Sequence, residues 1–233
     1  MQIKTIKTRV FKEGENLLSF VNSCVPKIKD KSILVITSKI IALAEKRTVP
    51  FKSEKEFEKL IKSQSSIAIK SKPVWFTVKD DILMPNAGID KSNSNGKIIL
   101  LPKDSFKSAQ KIRNSLIKKH KIKNLGIIIT DSCFMPFRSG ITAISIGYAG
   151  FKAVSDHRGK KDIFGRKLHL AKTNIVDSIA SFAAMLMGEA NECKPLALIE
   201  NAPVKFTNRI NRKELSINPA DDLYKPFFNS LKS

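Results

Sequence analysis

Cysteine is scarce in this sequence: Cys24, Cys133 and Cys193 are the only three in 233 residues, and no two of them form a Cys-x-x-Cys pair. An odd, scattered set argues against a disulfide framework or a structural zinc site and leaves three ordinary thiols in a reducing compartment. Aromatic residues are 7% of the chain, with one Trp and two Tyr, and no ring-bearing motif builds a base-stacking platform. No apolar run approaches the roughly 20 residues of a membrane span, and the opening Met1-Gln-Ile-Lys lacks the charged-then-apolar layout of a secretory leader. The expectation is a cytoplasmic protein with no membrane segment.

Several catalytic signatures are missing too. The string from Gly159 to Lys167 has glycines and bases but no Gly-Lys-Ser/Thr, so it is not a Walker loop, and Gly147-Tyr-Ala-Gly150 is too short for a dinucleotide fingerprint. His120, His157 and His169 stand at no metal-binding spacing and read as surface or packing residues. Cys133 lies close to Asp131, yet nothing nearby in sequence offers the base that a nucleophile needs.

What is present begins with charge. Lys plus Arg is 42 against 21 for Asp plus Glu, a formal net charge of +21 that attracts any polyanion. Only eight of the 42 are Arg, whereas phosphate and base recognition leans on the Arg fork, so nucleic acid is not the expected partner. With 42% of residues hydrophobic and 27% charged, disorder is excluded as the main state.

The patterning predicts a strand over 3–11, a helix over 17–25, a strand over 32–37 buried on both faces, and a helix over 38–47. The junction Thr37-Ser38 is thus a strand end feeding a helix start, where backbone amides favour an anion. Ser53-Glu-Lys-Glu56 has capping-box spacing and opens a helix. Strands are predicted over 66–70, 74–78, 82–84 and 97–101, with a turn-rich string over 85–96. Next come a helix over 105–119, strands over 125–130 and 141–147, a helix over 173–187 ending at Gly188, and a strand over 195–200. The Lys-rich patch 118–123 reads as a solvated helix end. No linker or internal repeat divides the chain, so 1–233 is taken as one unit of class α+β, with mixed sheets and flanking helices.

Two loops deliver acids at the ends of apolar strands: Asn86-Ala-Gly-Ile-Asp-Lys-Ser-Asn93 and Thr130-Asp-Ser132. A carboxylate beside hydroxyl and amide groups supplies the hard oxygen ligands that magnesium or manganese prefers. Glu189, just after the long helix, is a third acid of this kind. The same three also read as a turn former, a turn cap and a surface charge, and spacing alone does not choose between these readings.

Asn86-Ala-Gly-Ile-Asp-x-Ser-Asn93, Ile127-Ile-Ile-Thr-Asp-Ser132, Asp162-x-x-Gly-Arg166 and Leu186-Met-Gly-Glu189, in that order, resemble the coenzyme F420-0:L-glutamate ligase (gamma-glutamyl ligase) family. Thr37-Ser-Lys-Ile40, Leu100-Leu-Pro-Lys-Asp-Ser-Phe106 and Asn211-Arg-Lys-Glu-Leu215 are similar to its branch labelled as a folate-metabolism gamma-glutamate ligase. The resemblance implies a distinctive α+β fold, an intertwined homodimer, and a GTP-dependent ligase that adds L-glutamate to an anionic carboxylate acceptor, coenzyme F420-0 or folate-like, through an acyl phosphate. It places Asp90, Asp131, Ser132 and Glu189 at the divalent metal (Mg2+ or Mn2+), with Asp90 and Asp131 catalytic. It places Ser38, Lys39, Asn93 and the stretch 187–194, with Met187, Gly188, Glu189, Ala190 and Asn191 foremost, at the nucleotide, and the segment near Thr8 to Phe11 as a further contact. Two departures stand out: Leu43 replaces a nucleotide-contacting lysine, for which Lys39 could substitute, and Cys133-Phe-Met-Pro-Phe137 follows Asp131-Ser132 where relatives often have Asn-Gly-Arg. Arg138, Arg158 and Arg166 are expected to bind acceptor or glutamate carboxylates. The alternatives are a non-catalytic nucleotide- and metal-binding relative or a basic RNA-associated protein.

Overall fold

The computed structural model describes residues 1–209 and 211–226, so the unit drawn over 1–233 runs beyond the described residues. In chain order the elements are β1 (Gln2–Ile6), α1 (Leu17–Cys24), β2 (Ser32–Thr37), α2 (Ser38–Ala44), β3 (Thr48–Pro50), α3 (Glu54–Ser63), β4 (Ile67–Lys70), β5 (Trp75–Lys79) and β6 (Ile82–Pro85). They continue with β7 (Lys97–Ile99), α4 (Ser105–His120), β8 (Leu125–Phe134), β9 (Ile141–Ala149), β10 (Val154–Asp156), β11 (Lys172–Asn174), α5 (Ile175–Met187) and β12 (Leu196–Glu200).

The main sheet has the order β1-β12-β2-β8-β9. β2 pairs parallel with β8, and every other pairing in it is antiparallel. This is a mixed α+β architecture. β2 sits at the centre of the sheet, which is why Ser-Ile-Leu-Val-Ile-Thr carries no polar alternation: Leu34 and Ile36 pack with α1, α2 and α4 on one face, while Ile33 and Val35 pack with α5 on the other. Each such side chain taken out of water contributes about 2 kcal/mol, and the two-sided burial fixes β2 in the middle.

Local chemistry sets the helix starts. Ser53 caps α3 by accepting from the Glu56 amide at 3.2 Å, Asp104 caps α4 from Lys107 at 2.8 Å, and Asn174 caps α5 from Asp177 at 3.1 Å. Lys118, Lys119 and His120 occupy the last turn of α4, where the helix dipole favours positive charge.

Four differences from the sequence reading matter for the site. β1 stops at Ile6, because the following segment leaves the sheet, donates from the Thr8 amide to the Cys193 carbonyl at 2.8 Å and buries Phe11 edge-on against Phe20. α2 is shorter than predicted and ends at Ala44. β8 does not end at Thr130 but runs through Asp131 and Ser132 to Phe134, so Asp131 is a strand residue and not a turn cap. A register shift between Ile129 and Thr130 leaves Ile146 of β9 without an opposite number; such a bulge sharpens the local twist and re-aims the residues beyond it. The short β3, β10 and β11 have too few residues to display a period, so the patterning carries no sign of them.

A smaller layer flanks this core. β4, β5 and β6 form an antiparallel sheet, and α3, β3, β7 and the turn Asn86–Gly88 surround a separate apolar cluster that includes Phe57, Ile61, Ala87 and Ile98. One face of the three-stranded sheet is buried through Thr77 and Met84. The other presents Ile67, Ile69, Phe76 and Leu83, which are 53, 61, 46 and 47% exposed, an apolar face with no cover among the described residues of this chain.

Candidate functional site

β2 and β8 run parallel and in register, with Thr37 at the end of β2 opposite Thr130, so β8 continues past the end of β2 through Asp131 to Phe134. Ser38, the first residue of α2, therefore arrives beside Asp131, and its hydroxyl donates to Asp131 Oδ1 at 3.0 Å. A crevice outside the carboxyl ends of parallel strands is where open sheets most often bind ligands. Here that crevice is a cavity of about 580 Å³.

The second wall is the loop 86–93. Asn86, Ala87 and Gly88 all have positive φ, 51°, 56° and 68°, a run that non-glycine residues adopt only when surroundings enforce it. The enforcing contacts are present: the Asn86 carboxamide accepts from the Trp75 amide at 2.9 Å, the Ala87 amide donates to Thr77 Oγ1 at 2.7 Å, and a side chain at Gly88 would collide with Leu101. This fixed turn carries Asp90 to the cavity. Asp90 is at once a turn former and a site residue, since its carboxylate accepts from the amide and hydroxyl of Ser92 at 2.6 and 2.8 Å and pairs with Lys39 Nζ at 2.7 Å. Lys39 also donates to the Ser92 carbonyl and hydroxyl, each at 3.1 Å.

The third wall follows α5. Gly188 caps the helix with φ 87°, and the chain then turns through Glu189, Ala190 and Asn191. Glu189 accepts from the Ser132 hydroxyl at 2.9 Å, the Asn93 carboxamide donates to the Ala190 carbonyl at 3.0 Å, and Glu192 accepts from the Ala190 amide at 2.9 Å. These bonds tie segments almost a hundred residues apart into one rim.

The electrostatics are asymmetric. Burial pushes the Asp131 carboxyl up to about 7; the Ser38 hydrogen bond opposes this and the Asp90 charge adds to it. At Asp90 burial also acts upward, but Lys39 and Ser92 together hold its carboxyl below the usual range. One acid is thus ion-paired with an ammonium, while at its neighbour burial outweighs the attraction of the same lysine. Cys133, two residues on along β8, is pushed up to about 11 by burial and by the charges of Asp177 and Asp131, so it is no nucleophile.

Of the residues expected at the site, Lys39, Asp90, Asn93, Asp131, Ser132, Met187, Gly188, Glu189, Ala190 and Asn191 all line this one cavity, and Ser38 touches it through Asp131. Leu43 lines it as well, with Lys39 one turn away. The three arginines do not. Arg158 is bound to Asp156 at 2.6 Å, Arg166 lies in the 157–171 excursion with its amide on Asp162, and Arg138 is on the β8–β9 hairpin tip; the arginine in the cavity wall is Arg9, gripped by Glu15. Ser92, Glu192 and Arg9 fall inside the marked stretches 86–93, 187–194 and 8–11, but none was singled out there, because their contacts are set by the fold.

The four residues expected at a metal form hydrogen-bonded or ionic pairs with one another and with their neighbours, and among the described residues no group of three or more His, Cys, Asp or Glu is arranged to hold an ion. The donor set is nonetheless hard oxygen, with the Asp131 carboxyl held toward its neutral form by burial. That suits a magnesium-like cation that takes one or two protein carboxylates and completes its shell with water and phosphate.

A family profile described as F420-0:Gamma-glutamyl ligase matches residues 5–201. A protein named Coenzyme F420:L-glutamate ligase from Methanococcus maripaludis is 34% identical over 216 residues, covering 85% of this chain and 86% of the relative. Proteins of the same name from Methanocaldococcus jannaschii and Archaeoglobus fulgidus are 33 and 32% identical, over 89 and 84% of this chain and 90 and 85% of their own lengths. The matched span contains every wall of the cavity, from Thr8 to Pro195, and on that footing the chain belongs to the F420-0:gamma-glutamyl ligase family of enzymes.

Proposed function

We propose that this protein joins the amine of L-glutamate to the carboxylate of an anionic acceptor, a coenzyme F420 precursor or a folate-like molecule, with GTP as the energy source. The observation that carries the reading is the convergence of residues from α2, the 86–93 loop, β8 and the turn after α5 on one cavity that gathers Asp90, Asp131 and Glu189.

A carboxylate is a poor electrophile. Its oxygen therefore attacks the γ-phosphorus of GTP and GDP departs, giving an acyl phosphate; the glutamate amine then attacks the acyl carbon, loses a proton and expels inorganic phosphate. Phosphoryl transfer of this kind asks the protein for positioning and charge neutralisation more than for a nucleophile, which suits a site without an activated Cys or His. Ser38, Lys39, Asn93 and the turn 187–191 hold the nucleotide, and Lys39 exchanges its Asp90 contact for phosphate oxygens. Asp90, Asp131, Ser132 and Glu189 would hold Mg2+ or Mn2+, which supplies neutralisation of phosphate charge. The protein works as a homodimer in the cytoplasm, and its positive charge attracts nucleotide, acceptor and glutamylated product alike.

Incubation with GTP or ATP, manganese, labelled glutamate and a panel of deazaflavin and folate acceptors, read by mass spectrometry, tests the reading. A gain of glutamyl units on one acceptor, lost in Asp90→Asn and Asp131→Asn proteins that still fold, is the expected result. A non-catalytic relative would bind GTP with magnesium yet add no glutamate. A basic RNA-associated protein would instead hold RNA in a steeply salt-dependent way, indifferent to nucleotide.

A further inference from the structure

We infer that the β8–β9 hairpin beyond Ser132 is an acceptor platform, on which Phe134 and Ile141 bind the flat heteroaromatic ring of the molecule that receives glutamate. The inference rests on the ligase reading for the identity of the ligand, and on the hairpin geometry for its place.

In β8 successive side chains alternate, so Ser132 and Phe134 share one face. Ala143 is opposite Ser132 and Ile141 opposite Phe134 in β9, and all four line the cavity. Thr142, between them, turns away and meets the Ser181 hydroxyl of α5 at 3.0 Å. One hairpin face therefore runs without interruption from the acid-bearing floor to an apolar rim. Phe134 and Ile141 remain 48 and 45% exposed, and Met135 at the tip is 51% exposed. The other aromatic side chain in the cavity wall, Phe11, is buried against Phe20 and has no free face.

The remaining walls are taken. In the ligase reading Lys39, Asn93 and 187–191, on α2, the 86–93 loop and the α5 turn, hold the nucleotide with the 8–11 segment as a further contact, which leaves the hairpin as the wall without a substrate. Its chemistry is that of a ring platform: an aromatic face and a branched aliphatic chain paired across two strands, half in solvent, beside the polar groups of the acid-bearing floor. The spacing also suits the reaction. Two residues along a strand are about 7 Å, so a ring resting on Phe134 and Ile141 can extend a carboxylate-bearing tail past Ser132 toward Asp131.

The test measures ring binding apart from turnover. Wild-type protein, Phe134→Ala, Ile141→Ser and Phe134→Tyr are titrated with a carboxylated 5-deazaflavin and with folic acid by fluorescence, and with GTP and magnesium by calorimetry. Both wild-type side chains are half-exposed, so folding is expected to persist; the melting temperature of each variant checks it, and Phe134→Leu serves as a milder replacement. Expected is ring binding by wild type, weakened about tenfold, or about 1.4 kcal/mol, in Phe134→Ala and Ile141→Ser, recovered in Phe134→Tyr, with GTP affinity within about twofold throughout. Parallel loss of GTP affinity would mean that the hairpin holds guanine and overturns the inference. A change of oligomeric state with unchanged ring affinity would give the face to a second copy and overturns it too, as does failure of wild type to bind either ring. Glutamate addition, assayed in the same samples, judges the ligase reading by itself: ring binding through Phe134 without glutamylation sinks that reading alone, and glutamylation with full ring affinity in Phe134→Ala sinks the platform alone.

Discussion

Asp131 and Cys133, two residues apart in one strand, are both pushed up by burial, with different consequences. Asp131 has an ordinary value of 3.8 and is pushed up to about 7 in the folded chain, with burial as the main cause. Below about pH 4 it is neutral in both folded and unfolded chains. Between about pH 4 and 7 the folded chain retains a proton that the unfolded chain has released, so this group lowers stability as pH rises; above that window the penalty is constant. Replacing Asp131 by Asn in ligand-free protein should therefore raise the melting temperature at about pH 8 and leave it nearly unchanged at about pH 4. Calorimetric scans across that range check it, and a pH-independent difference would remove the burial argument. Cys133 is buried and pushed up to about 11, whereas Cys193 is exposed. Peptide mapping after iodoacetamide treatment of the native protein at neutral pH should find Cys193 modified and Cys133 untouched until the chain is unfolded.

At the scale of elements, the site depends on close approaches that small residues permit. The first turn of α4 lies directly on β9 at Gly147, where an added Cβ would be 2.6 Å from the Ser105 carbonyl carbon and 2.8 Å from its oxygen. Both are backbone atoms and cannot swing aside. Gly147→Ala should cost about 3 kcal/mol in urea unfolding; a loss below about 0.5 kcal/mol would show that α4 can slide. Gly188 acts through its backbone conformation, since its φ of 87° turns the chain out of α5, and a Cβ there would meet the Glu192 carboxyl carbon at 2.3 Å. Because Glu192 holds the Ala190 amide, Gly188→Ala should displace 188–191 and weaken GTP binding about tenfold, with a smaller effect on global stability. Isothermal titration and a thermal melt separate the two effects. The end of α5 was legible in sequence because glycine closes a long apolar-periodic helix, and the capping of α3 was legible in Ser53 and Glu56. The continuation of β8 through Asp131 was not, since Thr-Asp-Ser resembles a turn unless a partner strand is known to lie beside it.

Across the whole molecule, the apolar face of the β4–β5–β6 sheet is the feature that a single chain does not explain. Ile67, Ile69, Phe76 and Leu83 face outward together, and a second copy is the expected cover. Ile69→Lys with Phe76→Glu should shift the mass measured by light scattering from dimer to monomer without loss of helix content; a wild-type monomer, or a double variant of unchanged mass, would move the interface elsewhere. The formal charge of +21 acts at this scale too, giving long-range attraction for anions that salt screens, without choosing among them. What the sequence determined by itself was local or periodic. It specified β2 and the core of β8 through continuous apolar runs, α4 and α5 through helical spacing, and the caps through Ser53 and Gly188, and its short motifs contain residues that line the cavity. Only the tertiary structure decided that Ser38 meets Asp131, that Lys39 pairs with Asp90 while burial raises Asp131, that Arg138, Arg158 and Arg166 stay out of the cavity wall, and that Phe134 joins it. The physical reason is range: capping and patterning act within a few residues, whereas the charge state of a site is set by burial and by partners that strand pairing brings together from distant parts of the chain.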